Sequence, residues 1–358
     1  MTSGERRSDP MPSLTERELR QQPEAWQWVL DHAPAMLAAL GDMSDGAGEF
    51  VFCGCGSAYH VALSCAIAFR ACGIRARAQT SSEAYLFADA SRSWRGSTIV
   101  AVSRSGETSE TVFALRHAVS QGAKGIAMTC APDSTLARAA PASLVLDGLN
   151  EQSVITTKSV TGMILASLIG AEMLSQGCSG AQAISLGGLP GQCRSALTAA
   201  KALVESAFDS ENIRQCAFLG AGPLWGVANE ARLKMQEMAL VPSAASATLE
   251  FRHGPMAQCG PHMLVVAMVS QQAFEAEVSV LRDLAKLGGR IFAICERASP
   301  ELNQSARFVV ELQSGLPDHL RQPLYLPPAH LLALQAALRR GLEPDSPPHL
   351  ARSVILPQ

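Results

Sequence analysis

The sequence predicts an α/β protein made of two doubly wound parallel-sheet domains in tandem. Its 358 residues are enough for two ordinary domains, and 47% of them are hydrophobic, which is enough for two cores. From Glu49 onward, short apolar runs alternate with longer amphipathic runs, and the alternation restarts after the glycine-rich stretch GCSGAQAISLGGLPG. Strands that are joined by helices imply a parallel sheet with both faces covered.

The two halves repeat the same order of predicted elements. In the first half we expect strands over residues 49–54, 97–103 and 124–130, and helices over residues 58–71, 107–120 and 153–174. In the second half we expect a strand and turn over 214–223, strands over 262–270 and 289–296, and helices over 225–240, 275–287 and 328–340. The predicted divisions are a leader and helical arm (1–45), a first domain (46–178), a linker (179–192), a second domain (193–340) and a C-terminal tail (341–358). Met11 is an alternative start, because the residues before it resemble a disordered leader.

Composition and charge narrow the function classes. The formal net charge is -3 and no basic run stands out, so no nucleic-acid partner is expected. The N-terminus lacks the apolar stretch of a secretory signal, and no segment has the continuous apolar length of a membrane span. We therefore expect a reduced, cytoplasmic protein with no membrane partner, whose ten scattered cysteines are mostly small core residues.

Neither a metal nor a cofactor is expected. The eight histidines form no ligand-spaced cluster, and paired Cys-x-x-Cys patterns are absent. The glycine turns at residues 54–56 and 220–222 lack the third glycine of the dinucleotide-binding fingerprint. The expected partner is a small molecule.

The stretch VSRSGETSETVF, residues 102–113, is rich in hydroxyl side chains and directly follows an apolar run. One interpretation is that Ser103 or Ser105 caps a helix that begins near Glu107. The other is anion binding, because a helix N-terminus and nearby hydroxyls together offer donors to a phosphate. Residues 55–57 and 154–158 would lie at the same carboxyl edge of the sheet, and this convergence favours the phosphate interpretation.

Seven motifs in order give the chain a resemblance to a known family. They are ERELRQQP (16–23), CGSAY (55–59), SRSGET (103–108), EQSVITTK (151–158), ARLKMQE (231–237), EFRHGP (250–255) and PDSPPHLARSV (344–354). With these motifs the chain resembles tandem sugar isomerase (SIS) domain proteins, and specifically the isomerase half of glucosamine-6-phosphate synthase without its glutaminase domain. The resemblance implies flavodoxin-like SIS domains and a sugar-phosphate ligand.

The resemblance also implies which residues bind the phosphate. Hydroxyls and backbone donors of the first domain would hold it, with further contacts from the loop before the long helix; the residues are Ser57, Ser103, Ser105, Thr108, Val154 and Thr156. Two positions depart from the synthases, since Ala58 replaces a serine and Arg104 replaces a glutamine. An arginine at residue 104 is similar to the galactosamine-6-phosphate deaminase/isomerase branch, and it would either add charge to the phosphate site or face solvent.

Glu237 and Lys234 lie three residues apart on a predicted helix, so they share one face. On spacing alone they would form a weak surface ion pair. The neighbouring Met235, Met238 and Leu240 indicate a largely buried helix instead. The resemblance implies that Glu237 is the proton-shuttling base and that Lys234 helps to position the substrate.

His253 and Arg352 complete the predicted site. By its place before Gly254, His253 would be a structural turn residue, but the resemblance implies that it promotes ring opening from a neighbouring subunit. That implies a homodimer with a shared active site. Arg352 would be a solvated charge on composition alone, yet it occupies the place of a synthase lysine near the reactive carbons. An arginine can donate hydrogen bonds to an oxyanion but cannot form a Schiff base.

These residues predict an amino sugar phosphate deaminase/isomerase that converts glucosamine 6-phosphate to fructose 6-phosphate plus ammonia. The expected direction follows from the lack of an N-terminal glutaminase domain that would make ammonia. Galactosamine 6-phosphate is the alternative substrate. A non-catalytic sugar-phosphate-binding regulator is the alternative of another class, although the first 45 residues are too few for a helix-turn-helix module ahead of the SIS domains.

Overall fold

The computed structural model describes residues 12–38, 40, 48–87, 94–179, 186–209 and 212–356. The predicted leader and the alternative start at Met11 lie outside the described residues. Helices α1 (Leu14–Arg20) and α2 (Gln22–Ala38) open the described part. The Ser13 hydroxyl caps α1 by accepting a hydrogen bond from the backbone amide of Glu16 (3.1 Å).

The first domain alternates strands and helices along the chain. Its elements are β1 (Glu49–Gly54), α3 (Ser57–Ala71), β2 (Ala76–Thr80), α4 (Ser81–Tyr85), β3 (Ser97–Val102), α5 (Ser109–Ser120), β4 (Lys124–Thr129), α6 (Thr135–Ala139), β5 (Ala142–Val145) and α7 (Lys158–Ser179). All neighbouring strands pair in parallel.

The second domain repeats this arrangement. Its elements are α8 (Leu189–Ala207), β6 (Gln215–Leu219), α9 (Trp225–Ala239), β7 (Ser243–Ser246), β8 (Met263–Met268), α10 (Phe274–Lys286), β9 (Arg290–Cys295), α11 (Pro300–Ser305), β10 (Phe308–Glu311) and α12 (Leu326–Arg339). Its strands also pair in parallel.

Both sheets have the same strand order. The first reads β2-β1-β3-β4-β5 and the second, from its other edge, β7-β6-β8-β9-β10. Phe52 lies beside Val100 in the first sheet, as Phe218 lies beside Val266 in the second. The third strand of each sheet is buried along its whole length, which requires helices on both faces. The predicted fold class, two doubly wound parallel-sheet domains, is confirmed.

A shared helical layer joins the two domains. One continuous apolar core contains Trp26 of α2, Phe52 of β1 and Phe218 of β6. Within this layer α3 of the first domain packs against α9 of the second. A Cβ on Gly226 would lie 2.4 Å from the Ser64 hydroxyl, so this crossing requires glycine. The close approach brings α9 to the carboxyl edge of the first sheet.

Four strands of the structure were not predicted, and all four are edge strands. They are β2, β5, β7 and β10. Each has only four or five residues, and β2 reads ARAQT, with one buried residue and four half-buried ones. Edge strands are covered less completely than central ones, so they need no continuous apolar run that would reveal them in the sequence.

Several predicted helix boundaries are wrong. Helix α7 begins at Lys158 rather than at residue 153, and α5 begins at Ser109 rather than at residue 107. The start of α7 is set by the Glu151 carboxylate in the preceding loop, described below. Helix α8 begins at Leu189, inside the segment predicted as linker, of which residues 180–185 lie outside the described part.

Candidate active site

A cavity of about 290 Å³ lies at the carboxyl ends of β1 and β3. In a sheet of order 2-1-3-4-5 these two strands flank the topological switch point, where ligands bind in doubly wound folds. The predicted site residues that line the cavity are Ser57, Ser103, Arg104, Ser105, Thr108, Val154, Thr156, Glu237 and Arg352. The tertiary structure therefore brings together side chains from both domains and from the C-terminal segment.

The loop after β3 takes its shape from Gly106. This residue has a φ of 65°, and a Cβ there would lie 2.1 Å from the Ser134 hydroxyl, so no other residue fits without rearrangement. Behind the loop, the Glu107 carboxylate accepts hydrogen bonds from the Thr135 hydroxyl (2.7 Å) and amide (2.9 Å). The side-chain and backbone hydrogen bonds of Thr135 hold the pKa of Glu107 below its usual value. Glu107 thus anchors the loop to α6.

The three hydroxyls of this loop make different hydrogen bonds. Ser103 is buried; its hydroxyl accepts from the Gly106 amide (3.1 Å) and donates to Thr108 Oγ1 (3.4 Å). Ser105 Oγ accepts from the Glu107 amide (3.2 Å). Since Ser105 and Thr108 act as acceptors in these bonds, each keeps a proton to donate to a ligand. The geometry favours Ser105 and Thr108 as phosphate donors, with Ser103 ordering the loop.

The capping interpretation of this stretch is wrong. Helix α5 begins at Ser109 with Thr108 at its cap position, and Thr108 makes no side-chain capping bond. Ser105 bonds to the amide of Glu107, before the helix starts, and Ser103 bonds to that of Gly106. The hydroxyls therefore shape the loop rather than cap the helix.

The loop before α7 is organised by Glu151, a residue for which the sequence analysis predicted no separate role. Its carboxylate is fully buried and accepts from the amide (2.7 Å) and hydroxyl (2.8 Å) of Thr157, and from the Lys158 amide (2.8 Å). These amides are the free donors of the helix N-terminus, which explains why α7 begins at Lys158. The preceding residues are left extended, so that Val154 and Thr156 line the cavity.

Lys234 is buried between two carboxylates of its own helix. It is 1% exposed, and its Nζ lies 2.5 Å from Glu237 Oε2 and 3.2 Å from Glu230 Oε1. The same ammonium donates to Ser57 Oγ (2.8 Å) and Thr156 Oγ1 (3.3 Å). Burial alone would lower the pKa of Lys234, but the two carboxylates outweigh it and raise that pKa above its usual value. Lys234 therefore stays charged.

Lys234 is absent from the cavity lining, whereas Glu237 is part of it. The ammonium is therefore not itself at the cavity surface, but it fixes Glu237, Ser57 and Thr156 at the cavity wall. Because Ser57 accepts from Lys234, its own hydroxyl proton points elsewhere and can be donated to a ligand. The interpretation of Lys234 and Glu237 as a weak surface ion pair is wrong, since the lysine is buried and Glu237 is only partly exposed.

Glu230 and His60 extend this buried network, and the sequence analysis missed both. His60 Nδ1 lies 3.0 Å from Glu230 Oε2, and His60 Nε2 lies 3.5 Å from the Arg232 guanidinium, which can only donate. This arrangement fits a tautomer that donates from Nδ1 to Glu230 and accepts at Nε2. The available signal was the spacing of Glu230, Lys234 and Glu237, which places three charges on one face of a buried helix.

Arg104 is buried, so the alternative in which it faces solvent is wrong. Its guanidinium donates from Nη1 to the Ser153 carbonyl (2.7 Å) and from Nη2 to the Arg352 carbonyl (3.2 Å). Burial lowers the pKa of Arg104, while the Glu151 carboxylate opposes that shift. Both nitrogens at the tip of the side chain are therefore engaged by the protein.

Arg352 lies at the rim of the cavity with the rest of residues 350–354. Its Nη2 donates to Asn150 Oδ1 (3.1 Å) and to the Glu151 carbonyl. The side chain is exposed but is held by these two acceptors, so it is not simply a solvated charge. It lies where its remaining donors can approach a ligand.

His253 does not line the cavity within this chain. It is exposed and follows the short turn Glu250–Arg252. Its participation from a second subunit stays a prediction.

Two α/β domains that share one cavity define the class, and comparison with known proteins names the family. The SIS domain model matches residues 46–169 and 211–340, and the chain belongs to this family, with two SIS domains in tandem. The glutamine–fructose-6-phosphate aminotransferase (isomerizing) of Treponema pallidum (strain Nichols) is 30% identical over 325 residues, which cover 84% of this chain and 51% of that protein. The chain spans about half the length of the curated relatives that it matches.

Solved structures give the same fold. The crystal structure of glucosamine-6-phosphate deaminase from Thermotoga maritima matches with a TM-score of 0.80 and 26% identity, covering 96% of this chain and 100% of that chain. Tagatose-6-phosphate ketose/aldose isomerase from Escherichia coli matches with a TM-score of 0.83, covering 97% of this chain and 96% of that chain. Its 21% identity shows the fold alone. The resemblance drawn from the seven motifs is confirmed.

Two further observations concern the described residues as a set. None of their helices is long and apolar enough to cross a membrane. Nor do they contain a group of three or more histidine, cysteine, aspartate or glutamate side chains that could hold a metal ion.

Proposed function

We propose that the protein is an amino sugar phosphate deaminase/isomerase that converts glucosamine 6-phosphate to fructose 6-phosphate and ammonia. The observation that carries the proposal is the placement of Glu237, which is paired with buried Lys234 and lines the same cavity as the loop of residues 103–108. A carboxylate and several hydroxyl donors in one cavity suit a phosphorylated sugar, since the carboxylate can move a proton while the hydroxyls hold the phosphate.

In the proposed reaction, Ser105, Thr108 and Ser57 bind the phosphate, and the open-chain sugar extends toward Glu237. The Glu237 carboxylate takes the proton from C2, which gives an enolamine with negative charge developing on O1. Return of the proton to C1, with transfer of a proton from the amine nitrogen to O1, leaves an imine at C2 beside a C1 hydroxymethyl group. Water then adds to C2 and ammonia leaves, so that the products are fructose 6-phosphate and ammonia.

The same proposal gives roles to Arg352 and His253. Arg352 donates hydrogen bonds to the oxygen that gains charge, and as a permanent cation it forms no imine with the sugar. His253 promotes ring opening from the second subunit of a homodimer. Support for a sugar-phosphate ligand comes from the family and from the deaminase of Thermotoga maritima, whose whole chain is matched.

Ammonia release from a panel of amino sugar 6-phosphates tests the proposal. Glucosamine 6-phosphate should release one ammonia for each fructose 6-phosphate formed, and Glu237→Gln is the matched inactive control. Faster ammonia release from galactosamine 6-phosphate would support the same reaction with galactosamine 6-phosphate as the substrate. Binding of these sugars with no ammonia and no isomerised product would contradict the enzyme proposal and indicate a sugar-phosphate-binding regulator.

The shared site has its own test. His253→Ala and Glu237→Gln are each expected to be inactive, but protomers mixed under conditions of subunit exchange should recover activity, because one site of the heterodimer holds both native residues. Absence of recovery, with exchange proven by mass spectrometry, would place His253 and Glu237 in the site of one chain.

A further inference from the structure

Arg104 holds two backbone carbonyls that come from distant parts of the chain. Its side chain lies in the wall of the cavity, where the residue is 8% exposed, and its two Nη atoms donate to the carbonyls of Ser153 and Arg352. Ser153 belongs to the loop before α7, and Arg352 belongs to the C-terminal segment, residues 350–356. One planar guanidinium therefore joins the segment to the wall of the first domain.

Besides Arg104, the C-terminal segment is held by backbone hydrogen bonds to Ser109 and by the Arg352 side chain, which donates to Asn150 Oδ1 and the Glu151 carbonyl. It forms no helix or strand, and its side chains Val354 and Ile355 are 54% and 72% exposed, so burial of apolar surface contributes little. The Ser109 amide donates to the Val354 carbonyl (3.1 Å), and the Leu356 amide donates to Ser109 Oγ (3.0 Å). These bonds fix the far end of the segment at the start of α5, whereas Arg104 fixes the part that crosses the cavity.

The geometry of Arg104 suits carbonyls better than a phosphate. Both of its Nη atoms already have acceptors, and the fork of a guanidinium can hold two carbonyls at once. Charged donors to buried carbonyls also make stronger hydrogen bonds than neutral ones do. The hydroxyls of Ser105 and Thr108, by contrast, keep protons that a phosphate can accept.

We propose that Arg104 is a positioning residue that fixes the C-terminal segment across the cavity and thereby sets the place of Arg352. The acceptor on the segment is the carbonyl of Arg352 itself, so the bond determines where that residue's backbone lies. The Arg352 side chain then reaches Asn150 at the rim. Loss of Arg104 should release the segment and displace the Arg352 guanidinium from the reacting oxygen.

Amide hydrogen exchange tests the structural half of this proposal without any assumption about the substrate. In Arg104→Gln, the Ser109 and Leu356 amides should exchange on the order of 10-fold faster or more, because each of their hydrogen bonds joins α5 to the released segment. The Val112 amide, which bonds to the Thr108 carbonyl (3.2 Å) within the same helix start, should be unchanged. Arg116→Gln, an exposed change of the same type on α5, is the control protein. Unchanged protection of Ser109 and Leu356 in a folded Arg104→Gln protein would overturn the proposal.

The variant Arg104→Lys separates fork geometry from charge and also serves if the glutamine variant does not fold. Lysine keeps the charge but has one nitrogen in place of the planar fork. Exchange at Ser109 and Leu356 should therefore be as fast in Arg104→Lys as expected for Arg104→Gln. Native protection in the lysine variant would show that charge is sufficient and would contradict the positioning role.

Kinetics test the functional half, which rests on the proposed deaminase activity. With glucosamine 6-phosphate, Arg104→Gln should lower kcat about as much as Arg352→Ala does, and the double variant should be no worse than Arg352→Ala alone. Additive losses, with KM carrying the loss from Arg104, would instead make Arg104 a direct phosphate ligand. If wild type turns over no amino sugar phosphate, the proposed function fails while the exchange result still decides the role of Arg104.

Discussion

The loops that follow the third strands of the two sheets occupy equivalent places in the same fold, yet their chemistry is opposite. After β3, residues 103–108 present the hydroxyls of Ser105 and Thr108 to a cavity. After β8, the equivalent loop has its amides occupied by carboxylates of the protein: Ser270 donates to Glu277 (2.6 Å), and Gln271 donates to Asp318 (2.9 Å).

Cavity volume does not explain why the two loops differ. The cavity beside the second loop has a volume of about 580 Å³, larger than the 290 Å³ of the first. Since Glu277 and Asp318 accept hydrogen bonds from the amides of residues 270–272, these amides are not free to bind a phosphate, and an ionised carboxylate beside them would repel it. The fold thus provides two equivalent loops, and their side chains and hydrogen bonds favour the first one as the place for an anion. The second domain contributes Glu237 to the site of the first.

The largest effect on activity should come from the loss of the Glu237 carboxylate. Glu237→Gln should lower kcat by roughly 10²–10⁴-fold because the base acts in the chemical step, while the Kd for fructose 6-phosphate changes little. Steady-state ammonia release and equilibrium binding measure the two quantities. Glu275→Gln, an exposed change in the same domain, is the control. Full turnover by Glu237→Gln would show that this side chain of the second domain takes no part in the reaction.

The next largest effect concerns the segment that completes the first site. Arg352→Ala should lower kcat on the order of 10²-fold by removing donors to the developing oxyanion, whereas Arg352→Lys should retain measurable activity. Deletion after Pro348 should resemble the alanine variant, and borohydride should trap no sugar on Arg352 in wild type. If the shortened protein turns over at the full rate, the segment has no part in the reaction.

The two loops themselves predict a smaller, asymmetric effect. Ser105→Ala or Thr108→Ala should raise KM by roughly 10–100-fold with kcat nearly unchanged, because each removes one charge-assisted hydrogen bond that is present before and after proton transfer. Gln272→Ala, an exposed change in the equivalent second loop, should leave KM unchanged. Equal effects from both loops would contradict the assignment of the phosphate to the first.

The smallest effect is on stability and depends on pH. Burial raises the pKa of Glu277 to about 7, although hydrogen bonds from Ser270 and Thr248 oppose the shift. Between pH 4.5 and 7 the folded protein therefore keeps a proton that the unfolded chain has lost, and the free energy of unfolding falls as pH rises through this interval. Relative to wild type, Glu277→Gln should gain roughly 2 kcal/mol between pH 5 and pH 8, measured by urea unfolding. Glu275→Gln should show no such gain, and a pH-independent difference for Glu277→Gln would mean that this carboxyl does not titrate in the interval.

The central elements of the fold were predictable because their sequence pattern is local. Strands β1, β3, β4, β6, β8 and β9 are apolar along most of their length, which follows from burial on both faces. The edge strands and the starts of α5 and α7 were not predictable in this way. Glu151 accepts from the amides at the start of α7, and Glu107 from the amide at the start of α6; an acidic residue that caps a neighbouring helix looks like any other polar loop residue in the sequence.

By itself the sequence determined the α/β class, the repeat of two domains and the hydroxyl loop of residues 103–108, because apolar alternation and turn residues act over short distances. Only the tertiary structure decided how distant motifs meet. Asp345 of the C-terminal motif caps α1 by accepting from the Leu14 amide (2.6 Å), and Glu18 of α1 accepts from the Gln152 amide (2.7 Å). Lys234 likewise became a buried link between domains rather than a surface charge. Such contacts depend on how α3 packs against α9 and on how the terminal segments pack near α7. The spacing of residues in the sequence does not indicate which side chains this packing brings within hydrogen-bond distance.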